Sequence, residues 1–180
     1  MKDEFLQDGL EEMEKILIRA DVGRIALTDG SMPYIVPVNY VYDKGKIAFH
    51  CALEGKKLDL IKNKQNCCFE VDEFMGKVNY HDATKCHLDY DSVLAFGKAH
   101  IERNEAERIR LLQIMGEKYD ERYRKPVSEG GLRIGQNESI QGCCCVTIDI
   151  EEMTGRRERT VDEKRQKILW HHKFQSANYK

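Results

Sequence analysis

The chain has 180 residues, a length that suits one domain with its own core. Hydrophobic residues make up 41% and charged residues 33%, the balance of a soluble globular protein. The formal net charge of -2 gives no electrostatic case for nucleic acid. The opening residues carry acids from Asp3 and lack an apolar h-region, and no apolar run reaches the ~20 residues that span a bilayer, so neither secretion nor membrane insertion is expected.

In chain order, Asp8 stands where a helix cap is expected, with Glu11 at the capping-box position. Leu10, Met13, Leu17 and Ala20 then recur at helical spacing, which predicts a first helix ending near Ala20. From Gly23 the pattern changes to hairpins. Residues 24–28 and 34–42 predict two strands joined at the Asp29-Gly30 turn, and 46–50 a third after Asp43-Lys44-Gly45. Pro37 cannot donate a ladder hydrogen bond, so an edge or a bulge is expected there. A short helix is predicted from Lys56 to Asn63. A fourth strand follows over 66–72, then an irregular polar segment over 73–89 and a fifth strand over 92–103. Asn104 caps a second long helix with Glu107 at the capping-box position, and Ile109, Leu112, Met115 and Tyr119 form its apolar stripe. Residues 121–142 predict a loop and 143–150 the last strand. The mostly charged segment beyond Thr154 predicts a loosely packed tail or an exposed helix.

Six short strands in hairpins, with helices as lids, predict a mainly β (α+β) fold built on an antiparallel barrel. No Gly-x-Gly-x-x-Gly follows a strand, which argues against a Rossmann site. The seven cysteines are odd in number, and five sit in vicinal runs. Neighbours on a strand point to opposite faces, so these pairs are poor disulfide partners. Reduced thiols serving as small core residues in a cytoplasm fit them better.

The stretch FHCALEGKKLDLI, residues 49–61, raises a functional question. His50 ends a strand, Gly55 permits close backbone approach, and Lys56 and Lys57 open a helix. Outward N–H groups and the helix dipole make that corner suited to a phosphate. Two lysines merely solvating a helix start, and a hydrogen-bonded histidine at a barrel rim, are the plain alternatives. The dipole disfavours a lysine pair there by a few tenths of a kcal/mol unless an anion offsets it.

The order Pro37-Val38-Asn39-Tyr40, Ile47-Ala48-Phe49-His50, Glu54-Gly55-Lys56-Lys57-Leu58-Asp59 and Cys68-Phe69-Glu70-Val71 resembles the flavin-binding split-barrel superfamily of pyridoxamine 5'-phosphate oxidase. Its nitroimidazole-resistance branch is the nearest match. Residues 90–99, with Tyr90 and Ser92-Val93, and residues 146–156, ending in Thr154-Gly155-Arg156, extend the likeness.

The resemblance implies a six-stranded antiparallel split β-barrel with flanking helices over residues 1–156, followed by a charged tail or helix over 157–180. It implies FMN bound at a homodimer interface. Lys56 and Lys57 match the basic pair at the FMN phosphate, with Gly55 beside them. Val38, Asn39 and Tyr40 match the strand along the isoalloxazine ring, and Phe49 precedes the flavin-side His50. Ser92 matches a polar position near the cofactor. The lysine-lysine pair and the lone Trp170 depart from pyridoxamine phosphate oxidase itself, which argues against that substrate. The expected activity is NAD(P)H-linked reduction of a small planar or nitroaromatic acceptor, with His50 as the catalytic residue. The alternative is a flavin- or heme-binding module without turnover, with His50, His81 or His87 as axial candidates.

Other clusters carry less. His81, Cys86 and His87 do not match a zinc template, and adjacent ligands seldom chelate one ion, so no metal is expected. Cys143-Cys144-Cys145 reads as strand packing. His171-His172 and the basic runs 156–159 and 164–167, interleaved with acids, read as solvated.

Overall fold

The computed structural model describes residues 6–7, 9–78, 87–134, 140–161 and 164–174. The elements are β1 (Leu6–Gln7), α1 (Leu10–Arg19), β2 (Val22–Leu27), β3 (Tyr34–Asp43), β4 (Lys46–Cys51) and α2 (Lys56–Asn63). Then come β5 (Asn66–Val78), β6 (His87–Ile101), α3 (Glu105–Tyr119), β7 (Cys144–Val161) and β8 (Lys164–Lys173).

The sheet order is β1-β8-β7-β4-β3-β2-β5-β6, and β6 returns to pair with β7. That last pairing closes six antiparallel strands into a barrel, the split-barrel architecture, with β8 and the two-residue β1 continuing beyond β7. Closure removes the exposed edges that an open sheet would leave.

Two cores follow from strand alternation. Ile25, Val38, Tyr40, Ile47, Phe49, Phe69, Val71, Val93, Val146 and Ile148 fill the barrel, joined by Met13, Ile16 and Leu17 of α1 and by Leu58 and Ile61 of α2. Each such side chain, fully buried, contributes about 1.5–3 kcal/mol. On the outer face, Val41, Ala48 and Cys145 pack under Leu111, Leu112 and Met115 of α3. The long helix therefore covers the outside of the wall, while α1 and α2 pack into its interior core.

Several elements follow the sequence reading. The helix over 56–63 has the expected bounds, and the Asn104 side chain accepts a bond from the Glu107 amide at 3.1 Å. Pro37 lies in a stretch of β3 that pairs with β2 alone, because the β3–β4 ladder covers only Tyr40–Asp43. The edge expected there is thus present.

Others differ. Gly9 takes the cap position of α1, with no side-chain cap bond, and Asp8 lies outside the described residues. Residues 73–78 and 87–89 are strand, so β5 and β6 form long hairpin arms with a register shift between Phe74 and Gly76. The described part of 121–142 includes the short 3-10 turns Glu121–Tyr123 and Val127–Glu129.

The largest correction is at the C-terminus. The segment expected as a tail or exposed helix is strand: β7 runs to Val161 and pairs with β8 from Val161↔Lys164 to Glu152↔Lys173. The charges of its run 156–159 are paired rather than solvated. Asp91, 1% exposed, meets Arg157 Nε and Arg159 at 2.8 Å each and Arg19 at 3.3 Å. Glu158 is fully buried against Arg156. The Arg157 guanidinium lies 5.0 Å from the ring centre of Trp170, itself buried. No helix among the described residues is long and apolar enough to cross a membrane.

Candidate functional site

Tyr40 opposite Phe49 is the last β3–β4 pair. Beyond it the two strands part, while β4 stays with β7 through Cys51↔Cys144. The gap opens a cavity of about 670 Å³, within the usual range for small-molecule sites. Pro37, Val38 and Asn39 of β3, with His50 and Cys51 of β4, line one side. Lys57 of α2 is at the rim. The other wall is Leu112, Met115, Gly116 and Tyr119 of α3, continued by Tyr123, Ile134, Gly142 and Cys143.

The Lys57 corner is built by backbone geometry. Gly55 precedes α2 with φ +125°, a conformation that L side chains rarely adopt. The first helix-type donors are Leu58 and Asp59, whose amides bond the Gly55 carbonyl at 2.9 and 3.2 Å. The amides of Lys56 and Lys57 stand ahead of them, at the positive end of the dipole. The two ammonium groups diverge: Lys57 Nζ lies 5.0 Å from the Phe49 ring centre, Lys56 Nζ 5.0 Å from that of Tyr34.

The α3 wall is tied down. The Tyr119 hydroxyl accepts from the Tyr40 amide at 2.9 Å and lies 2.8 Å from the carbonyls of Tyr40 and Asp21, to one of which it donates. Arg108 donates to the carbonyls of Ile140 and, at 2.9 Å, Cys143, drawing that loop over the helix. Gln113 Oε1 accepts from the Ile134 amide at 3.0 Å. Burial pushes the Cys51 thiol up, partly opposed by the charge of Lys57, and pushes Cys145 up to about 12. These thiols are therefore neutral near pH 7.

Of the residues proposed from sequence, Val38, Asn39, His50 and Lys57 line the cavity together. Gly55 and Lys56 adjoin it at the helix start without lining it. Tyr40 and Phe49 point into the barrel core; the Tyr40 hydroxyl donates to the Leu17 carbonyl at 2.6 Å. Ser92 lies in register between Asp72 and Arg156, away from the lining residues. His81 and Cys86 lie outside the described residues, as does the side chain of His87. Among the described residues no group of three or more His, Cys, Asp or Glu is placed to hold a metal. Sequence reasoning missed the α3 wall. Leu112, Met115 and Tyr119 read there as a core stripe, and a glycine inside the helix was the available signal.

The sequence profile of the pyridoxamine 5'-phosphate oxidase family matches residues 10–157. The chain belongs to this family. No curated protein matches it. Among solved structures, a 5-nitroimidazole antibiotic resistance candidate from Bacteroides thetaiotaomicron is similar, with TM-score 0.64 and 19% identity over 86% of this chain and 84% of that one. A flavocytochrome from Azotobacter vinelandii gives TM-score 0.68 and 17% identity over 94% and 81%. An FAD-binding protein from Mesorhizobium loti gives 0.58 and 20% over 82% and 93%. At these identities the likeness shows the shared split-barrel fold.

Proposed function

We propose that the cavity where β3 and β4 part holds FMN, and that the protein is an FMN-dependent oxidoreductase. The observation that carries this reading is the meeting of Lys57, the α2 start and His50 on one cavity large enough for a flavin. Bound FMN would supply the redox chemistry; the protein positions it. Lys57 and the amides at the helix start would hold the phosphate, with Lys56 adding positive charge. Asn39 and the β3 backbone would lie along one face of the ring, and the α3 wall would border its edge. His50, exposed at the end of β4, would orient a planar acceptor or supply its proton. NADH or NADPH would approach the open flavin face, and the acceptor class is a small planar or nitroaromatic oxidant.

The functional unit in this reading is a homodimer. An apolar row supports it: Ile35, Ala26, Cys68 and Phe96 are register partners across four strands, with Ile35 and Phe96 exposed and Ala26 and Cys68 half-buried between them. The next row begins at Pro37, which lines the cavity. A second copy on this face would cover the cavity's open side. The vicinal cysteines favour a reducing compartment such as the cytoplasm.

A heme-binding or flavin-binding module without turnover is the second reading, favoured by His50 standing in the cavity with an accessible ring. The absorption spectrum of the protein as purified separates the two. A flavin spectrum with NAD(P)H consumption above the free-FMN background supports the first reading. A Soret band, or flavin without consumption, supports the second.

A further inference from the structure

Gly116 occupies the interior of α3, where glycine is the poorest helix former after proline. Helix propensity does not account for it; packing does. A Cβ at this position would stand 2.6 Å from Cγ of the Tyr123 ring and 2.8 and 2.9 Å from two further ring carbons. The ring fills the space that a side chain on the helix would take. Tyr123 is held from its backbone too. Its carbonyl accepts from Gln113 Nε2 at 3.3 Å and from Arg133 at 3.1 Å, and its amide donates to the Asp120 carbonyl at 3.1 Å. A tyrosine in a turn after a helix is thereby fixed against it, and both Gly116 and Tyr123 line the main cavity. Met115 and Tyr119 extend the same surface, and the polar groups Asn39 and His50 line the β3–β4 side.

We propose that Tyr123, seated in the gap left by Gly116, is the specificity wall of this cavity. It stacks against an uncharged planar aromatic ring, and Gly116 is the positioning residue that sets its depth. Flat rings prefer such offset contacts with a tyrosine, and a fixed wall holds them without an ordering cost at binding. The proposal rests on the flavin reading only for the source of the ring, since the isoalloxazine and a planar acceptor present the same chemistry.

The test uses the purified full chain and two phosphate-free probes, lumichrome and nitrobenzene, with dissociation constants from fluorescence quenching or equilibrium dialysis. Tyr123→Ala is expected to weaken at least one probe by about five- to tenfold, the order for a lost aromatic stack. Tyr123→Phe keeps the affinity because it keeps the ring. Gly116→Ala reproduces the loss while the protein still melts cooperatively, whereas a merely structural glycine would move the melting temperature alone. A loss confined to lumichrome assigns the wall to the flavin, and a loss confined to nitrobenzene assigns it to the acceptor. Unchanged affinity for both probes in Tyr123→Ala, or binding of neither by the wild type, overturns the proposal. Failure of the phosphate seat would show separately, as FMN binding no tighter than lumichrome while the probes still respond to Tyr123.

Discussion

The ammonium of Lys57 lies 5.0 Å from the ring centre of Phe49, at the rim of the cavity, while its neighbour Lys56 is directed to Tyr34. The basic pair is therefore not symmetric. Lys57→Ala is expected to weaken FMN by about 10- to 100-fold, the equivalent of one charge-assisted hydrogen bond. Lys56→Ala should cost less, since its ammonium contributes at longer range. Flavin fluorescence titration of the two single variants checks the order; equal losses would place the phosphate between them instead.

His50 pairs in register with Cys145 and lies on the cavity side of β4. His50→Ala should lower kcat with a nitroaromatic by about 100-fold or more if the ring delivers a proton. The flavin dissociation constant should stay within about threefold, since no phosphate contact is lost. Equal loss of turnover and flavin affinity would move His50 to the cofactor seat.

Tyr40 packs in the barrel core. Its ring packs edge-on against Phe69 with centroids 4.8 Å apart, and its hydroxyl donates to the Leu17 carbonyl. Tyr40→Phe should lower unfolding stability by about 1–3 kcal/mol, the cost of a buried carbonyl left without its donor. Flavin affinity should be unchanged. Urea unfolding alongside flavin titration separates the two effects.

Trp170 tests the C-terminal hairpin. It is 5% exposed, beside Arg157 and the barrel core. Trp170→Ala should cost about 3–5 kcal/mol, as for other large buried side chains. A residue in a solvated tail would cost almost nothing. Unfolding followed by far-UV circular dichroism gives the answer without needing the tryptophan signal.

Much of the fold was legible. Gly55 followed by an amphipathic octet marked α2, and Asn104 with Glu107 marked α3, because caps and periodicity act within one turn of chain. The hairpin from β7 to β8 was not. Arg157, Arg159 and Glu158 read as solvent-facing charges, and what makes them strand residues is burial against Asp91, Tyr90 and Trp170. Those partners are distant in sequence, and unpaired burial of such charges would be prohibitive. In the site, His50 and Lys57 were legible as a local motif. The α3 wall was not, because a stripe that lines a cavity has the same spacing as one that fills a core.

Alkaline pH should destabilise the fold through two buried thiols. Burial pushes the thiols of Cys67 and Cys145 from the ordinary 9.0 up to about 12. The folded state keeps these protons when the unfolded chain has lost them. Stability is full below about pH 9 and falls as pH rises toward about 12. Replacing both by alanine or serine should flatten that fall, as read from melting temperature against pH. Neither thiol should react with a thiol reagent at pH 8 until the protein unfolds.

In the proposed complex an ester phosphate sits beside Lys57 at the start of α2. The decisive measurement compares FMN with riboflavin, which differ by that phosphate alone, in the wild type and in Lys56→Ala/Lys57→Ala. FMN should bind tighter than riboflavin by about 100-fold or more in the wild type, with most of that advantage lost in the double variant. Equal affinities in the wild type, or an advantage that survives the double substitution, would contradict it.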